Sequence, residues 1–280
     1  MSAKIASTVE HAARIMMTRP TYFQLNYSIN PWMDMHNGVN KPKATEQWLN
    51  LKQVIEDSGA KVEVMEAEGA QHLPDMVFSA NAAVVRGRKA YLANFAYPER
   101  KGERFYFEQW FTKNGYECVG DLDIHFEGAG DALWGGKSFN TLFVGIGTRT
   151  DVRVLGDITK RLDDGSGWKA IGCRLIDPRF YHIDTAFCPL NEHVAIYYPY
   201  AFDHITQHNM KNEIDLIPVT EREAVNFACN SVVVGKNVIM NQGNDDIANK
   251  LTKLGYTVRY VNMGEYMKSG GSAKCCTLAL

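Results

Sequence analysis

The sequence predicts an α/β fold assembled from repeated strand-turn-strand-helix units with pseudo-symmetry, on three observations. Short β-branched or aromatic runs recur in pairs across Gly-containing turns. A helical stretch follows each pair, and the unit returns at similar length along the chain. No Pro/Gly/Ser-rich or charged linker divides the 280 residues, which favours one domain.

The elements follow in order. Residues Met1 to Met16 read as a polar lead-in. Asn81–Val85, the turn Arg86-Gly87-Arg88 and Ala90–Phe95 form a hairpin, with a helix over Arg104–Asn114. Thr141–Gly145 is an apolar strand with a helix over Thr150–Leu162 behind it. His193–Tyr198 repeats the strand, with Ala201–Asn212 as its helix. Ser231–Val234, the turn Gly235-Lys236-Asn237 and Val238–Asn241 make a second hairpin, followed by a helix over Asp245–Leu254 and a strand over Thr257–Val261. The run Gly270-Gly271-Ser272 then delivers Cys275-Cys276 into an apolar tail, which reads as a buried terminal strand.

Composition narrows the function. Hydrophobic residues at 45% and charged residues at 22% are ordinary for a soluble globular chain with a substantial core. A formal net charge of −2 leaves no basic surplus for phosphates, so no nucleic-acid partner is expected. No apolar run reaches the length of a membrane span and the N-terminus lacks the core of a secretory signal, so the expectation is a cytoplasmic protein without a membrane partner. The six cysteines show no Cys-x-x-Cys spacing and read as reduced thiols.

Four segments carry polar residues at the ends of apolar strands, where α/β folds place sites. Asp75 and Asn81 bracket the apolar Met76–Ala80. Glu127 and Asp131 flank Gly128-Ala129-Gly130, whose glycines permit close backbone approach. In Tyr181-His182-Ile183-Asp184, a strand period of two would put His182 and Asp184 on one face. Cys275 is the candidate nucleophile, since a thiolate is strongly nucleophilic once a cation stabilises it. Each residue also has a plain structural reading: Asp75 a turn cap, Glu127 and Asp131 a solvated loop, His182 a satisfied interior histidine, the cysteines small buried hydrophobes. His182 and Asp184 as metal ligands remain a minor alternative, without a His/Cys cluster at ligand spacing.

Pro74-Asp75-x-Val77-Phe78-x-Ala80-Asn81, Glu127-Gly128-x-Gly130-Asp131, His182-Ile183-Asp184 and Gly270-Gly271-x-x-Lys274-Cys275-Cys276-Thr277 together resemble the guanidine-modifying superfamily of arginine deiminases, dimethylarginine hydrolases, amidinotransferases and arginine dihydrolases. The resemblance runs from about Met17 to Leu280, so a lead-in over 1–16 and a catalytic domain over 17–280 are expected. Met17-Thr18-Arg19-Pro20 and Asn30-Pro31-Trp32-Met33 look most like the dihydrolase branch. The resemblance implies a five-bladed pseudo-symmetric α/β propeller with a central site. It implies Cys275 as nucleophile, with Thr277 two residues on marking it over Cys276. His182 would be the general acid/base and Glu127 its orienting carboxylate. Asp75, Asn81, Asp184 and Asn30 would bind substrate, and Arg100 and Arg149 would hold its α-carboxylate. Surface arginines are the plain reading of the last two.

Asn81 stands where deiminases and dimethylarginine hydrolases carry a carboxylate. An amide both donates to and accepts from a neutral ureido group, as a second hydrolysis requires. Asp184 would crowd a dimethylated nitrogen. The expected activity is therefore cofactor-free and metal-free thiol hydrolysis of free arginine to ornithine, carbon dioxide and ammonia. Alternatives are a dimethylarginine hydrolase or deiminase stopping at citrulline, an amidinotransferase, and an arginine sensor without catalysis. The expected partner is arginine or a close derivative, with a homo-oligomer left open.

Overall fold

Two hairpins show how the sequence builds its repeating unit. Arg86 pairs with Lys89 and Val234 with Asn237, so each turn has two residues and opens on a glycine, Gly87 at φ +58° and Gly235 at φ +57°. A Cβ disfavours that left-handed region, which is why the turns fall on glycine. A computed structural model describes residues 13–280. Its strands are β1 (Arg14–Thr18), β2 (Lys61–Met65), β3 (Ala83–Arg86), β4 (Lys89–Leu92), β5 (Glu117–Val119), β6 (Ala132–Gly135), β7 (Thr141–Ile146), β8 (Lys169–Arg174), β9 (Phe187–Pro189), β10 (Val194–Tyr197), β11 (Asp215–Pro218), β12 (Val232–Val234), β13 (Asn237–Asn241), β14 (Thr257–Val261) and β15 (Leu278–Ala279).

These strands form five three-stranded sheets, ordered β3-β4-β5, β6-β7-β8, β9-β10-β11, β12-β13-β14 and β15-β1-β2. In each, the first strand is antiparallel to the second and the second parallel to the third, with helix between the last two. The molecule is a five-bladed α/β propeller. The fifth blade joins the two ends of the described chain: Met16 pairs with Leu278 and the Leu280 amide donates to the Arg14 carbonyl. The apolar tail after Cys275 is therefore a strand, β15, of which Leu278 is buried and Ala279 exposed, so the expected buried terminal strand holds only in part. Arg14–Met16 already belong to β1, and the rest of the expected lead-in, up to residue 12, lies outside the described residues.

The outer helices are amphipathic. Asp245–Lys253 buries Ile247, Ala248 and Leu251, with Asp245 and Asp246 in the first turn and Lys250 and Lys253 in the last, each sign matching the helix dipole. The helix expected from Thr150 starts at Val154 because Thr150 and Asp151 hydrogen-bond elsewhere. Asp151 Oδ1 accepts from the Arg153 amide at 2.9 Å, and the Thr150 hydroxyl donates to Asp131 at 2.6 Å. Similarly, the helix expected from Ala201 begins at His204, capped by Asp203, which accepts from the Thr206 amide. Among the described residues no helix is long and apolar enough to cross a membrane.

Candidate active site

Each blade's first strand is entered through a tight turn. Pro74–Val77 and Ser79–Ala82 precede β3, Gly128–Gly130 precedes β6, Ile183–Thr185 precedes β9, and turns around Asn230 and Lys274–Cys275 precede β12 and β15. Pseudo-symmetry thus aims five chain entries at one end of the propeller axis, and the sequence loads those entries with polar side chains. The structure departs from the sequence expectation at two of these entries. Met76–Ala80 is not a strand but two short 3-10 turns, and His182 and Asp184 do not share a strand face, because Ile183–Thr185 turns in the same way. The Thr185 hydroxyl bonds back to the His182 carbonyl at 2.7 Å, which holds that turn.

Asp75, Asn81, Arg100, Arg149, His182, Cys275 and Asn30 line one cavity with Ile29, Phe78, Tyr181 and Gly271. Its free volume is only about 10 Å³, room for a single water. On the outer side of Ile29-Asn30 lies a hollow of about 490 Å³ that Arg149 and Tyr181 also line. The Asn30 carboxamide donates to the Ser269 carbonyl at 3.1 Å and Trp32 Nε1 to the Arg179 carbonyl at 2.7 Å, pinning residues 28–33 between the two spaces.

His182 Nε2 lies 2.7 Å from Glu127 Oε2, with both side chains fully buried. Arg149 Nη1 donates to the same oxygen at 2.8 Å. Burial alone would raise the Glu127 carboxyl, but Arg149 and His182 outweigh it and hold it at about 2. Burial pulls the imidazole down to about 4, more than Glu127 lifts it. A neutral imidazole beside an ionised carboxylate donates from Nε2, leaving Nδ1 for proton transfer. Gly128 lets this turn approach: at φ +63°, a Cβ would meet the Ala80 carbonyl oxygen at 2.6 Å.

Asn81 has a fixed orientation. Its Oδ1 accepts from Arg100 Nη1 at 2.8 Å and its Nδ2 donates to the Glu127 carbonyl at 3.0 Å, leaving one N–H. Arg100 is itself held in a fork by Glu103 at 2.8 Å on both contacts. Arg149 lies between the rings of Tyr97 and Tyr181. Both arginines are buried, so neither is a surface residue, and each already carries an internal carboxylate. Asp75 accepts from the Tyr27 hydroxyl at 2.9 Å.

Cys275 Sγ is 3.3 Å from Asp184 Oδ2, while Asp184 Oδ1 is buried without a hydrogen-bond partner among the described residues. Burial pushes the Cys275 thiol well up, with the Asp184 charge adding to it, and pushes Asp184 up to about 6. Burial likewise raises Asp75 and Asp131, and lifts Glu103 to about 7. Asp75, Glu103, Glu127 and Asp184 are buried around the Arg100 and Arg149 guanidiniums and the Lys274 ammonium, which acts on Asp184, so acids outnumber bases and the site favours a cation. Cys276 is fully buried near Tyr266 and does not line the cavity. His182 and Asp184 face different partners, Glu127 and Cys275, and do not converge as a metal pair would.

Sequence reasoning missed Asn230. Its Oδ1 accepts from the Ser272 and Cys275 amides, both at 3.1 Å, and its Nδ2 donates to Cys275 Sγ at 3.0 Å and to the Asp184 carbonyl at 3.1 Å. The signal was available: Asn230 stands just before β12 much as Asn81 stands before β3. Asp131 holds the next layer, joining Thr150 to the Ile183 amide.

Residues 17–280 match the family model described as N,N dimethylarginine dimethylhydrolase, eukaryotic. The bifunctional arginine dihydrolase/ornithine cyclodeaminase ArgZ of Synechocystis is 41% identical over 272 residues, covering 95% of this chain and 37% of ArgZ. The chain thus spans about a third of that relative's length. The N(G),N(G)-dimethylarginine dimethylaminohydrolase of Mycobacterium tuberculosis is 36% identical, covering 95% of this chain and 85% of its own. The crystal structure of the cyanobacterial ArgZ N-terminal domain bound to substrate superposes with TM-score 0.90 at 40% identity, covering 95% and 97% of the two chains.

Proposed function

The chain belongs to the N,N-dimethylarginine dimethylhydrolase family over residues 17–280, and from that premise we propose that it is an arginine dihydrolase. It would convert free arginine through an amidino-thiol and a citrulline-like intermediate to ornithine, carbon dioxide and ammonia. The observation that carries this choice is the Asn81 carboxamide, fixed by Arg100 and the Glu127 carbonyl with one N–H to spare. That donor suits the oxygen of a neutral ureido group.

The chemistry follows from the side chains. The substrate guanidinium enters a site rich in carboxylates, where Asp75 lines the cavity and Asp184, in contact with Cys275 Sγ, has an Oδ1 without a partner among the described residues, and these two acids accept its N–H groups. Its charge stabilises the Cys275 thiolate, which attacks the guanidino carbon. The displaced thiol proton reaches a terminal nitrogen through His182 Nδ1, and ammonia departs. Water then gives a proton to His182 and adds to the amidino-thiol carbon. The C–S bond breaks, returning the thiol and releasing the ureido compound. A second attack on the ureido carbon expels the other terminal nitrogen. Hydrolysis of that adduct gives a carbamate, which falls to ornithine and carbon dioxide. Glu127 holds the imidazole and supports its cationic form. Arg100 and Arg149 receive the α-carboxylate with the N–H groups their internal partners leave over. Asn30 closes the outer side.

Acid quench of the enzyme turning over arginine, followed by peptide mass spectrometry, tests the nucleophile. The adduct is expected on Cys275, and an adduct on Cys276 or none at all would overturn the scheme. A second reading, hydrolysis of dimethylarginine to citrulline, is favoured by the family match and by the Mycobacterium tuberculosis relative. It needs the same thiol and histidine and differs in substrate preference.

A further inference from the structure

The opposite end of the propeller axis holds a separate cavity of about 600 Å³. All five blades contribute to it through β3, β6, β9, β12 and β15, with Val84, Leu133, Phe187, Val233 and Leu278 among its mostly apolar walls. One charged side chain lines it, that of Lys274. The Lys274 ammonium has a single hydrogen bond among the described residues, to the Thr277 carbonyl at 3.4 Å. Burial pulls it below the usual lysine range, although the charge of Asp184 acts against that. A weakly partnered ammonium at the floor of an apolar chamber favours an anion with an apolar body. The volume lies within the range of small-molecule sites.

We propose that this chamber is a second ligand site, which takes an amphipathic carboxylate with its head on Lys274 and its chain along the walls from the five inner strands. The occupant differs in class from arginine, whose cationic side chain Lys274 would repel and whose polarity the walls do not match. Lys274 directly precedes Cys275, so the two sites sit back to back across one residue of the chain.

Titration calorimetry with octanoate tests the site on the intact protein, with octanol as the uncharged control. Octanoate should bind saturably with Kd about 0.1–1 mM, as a small apolar ligand with one charged contact would. Octanol should bind at least about tenfold more weakly, and Lys274→Met should weaken octanoate by a similar factor. Val233→Trp, which fills the chamber away from the lysine, should abolish binding, and a melting curve verifies that each variant is folded. Arginine at saturation should not displace octanoate. No saturable octanoate binding, equal binding of octanol, undiminished binding to folded Lys274→Met or Val233→Trp, or displacement by arginine would each overturn the proposal.

Discussion

Asn81→Asp changes one atom in the site and should change the product. In the wild type, Nδ2 donates to the Glu127 carbonyl at 3.0 Å and Oδ1 accepts from Arg100 at 2.8 Å. An aspartate keeps the second contact and strengthens it by charge, but turns the first into two acceptors facing each other. It also removes the remaining N–H and adds an anion near Asp75, Glu103 and Glu127, all buried. A guanidinium tolerates or gains from that charge, whereas a ureido oxygen loses its donor. One mispaired buried polar contact costs about 1–3 kcal/mol. At about 1.4 kcal/mol per decade, the second hydrolysis should slow by roughly tenfold to a hundredfold while the first is nearly unchanged. The assay is single-turnover quench with chromatography of citrulline and ornithine. Accumulation of citrulline is expected. Equal slowing of both steps, with ornithine still the sole product, would refute this reasoning and reduce Asn81 to a structural tie.

Three further results follow. Cys275→Ser should abolish turnover, whereas Cys276→Ser should keep most activity and lose about 1–3 kcal/mol of stability, because it places a hydroxyl at a fully buried position in an apolar cluster; paired rate and melting measurements decide this. Asn230→Ala leaves the Ser272 and Cys275 amides without their acceptor, so kcat should fall by at least about tenfold with KM less affected; wild-type kcat would deny Asn230 a positioning role. Finally, the folded imidazole of His182 sits at about 4 against an ordinary 6.5, so the unfolded chain takes up its proton first as pH falls. That group therefore stabilises the fold above about pH 6.5 and loses its contribution, on the order of 2–3 kcal/mol, on the way to pH 4. The raised acids Asp184 and Glu103 act in the opposite sense, so the measurable quantity is the difference between wild-type and His182→Gln urea melts, which should shrink from pH 7 to pH 4.

The sequence made the repeat legible because glycines at 87 and 235 and the amphipathic stretch 245–253 mark the same unit twice over. Thr257–Val261 was read to the residue, since a β-branched run between Gly255 and the turn at Asn262 leaves little freedom. The blade count came only through the family resemblance, because antiparallel closure of β15 on β1 is a contact between the two ends of the described chain and has no local signature. Readings failed where side chains outcompete backbone periodicity. Thr150 and Asp151 leave the helix for Asp131 and Arg153, and Thr185 folds His182–Thr185 into a turn. Motif order points to Glu127, His182 and Asn81, and the fold brings these three together. Asn230 escaped because a lone asparagine before a strand is common, and only its four contacts around Cys275 mark it. The fork between Arg100 and Glu103 spans three residues, a spacing as ordinary on any helical surface as in a buried site.

The most direct test is the stoichiometry of the wild-type enzyme with free L-arginine. Ammonia is counted against arginine consumed, and the carbon product is identified as citrulline or ornithine. Ornithine with two ammonia per arginine is the expected result. Citrulline with one ammonia, or turnover confined to dimethylarginine, would contradict it.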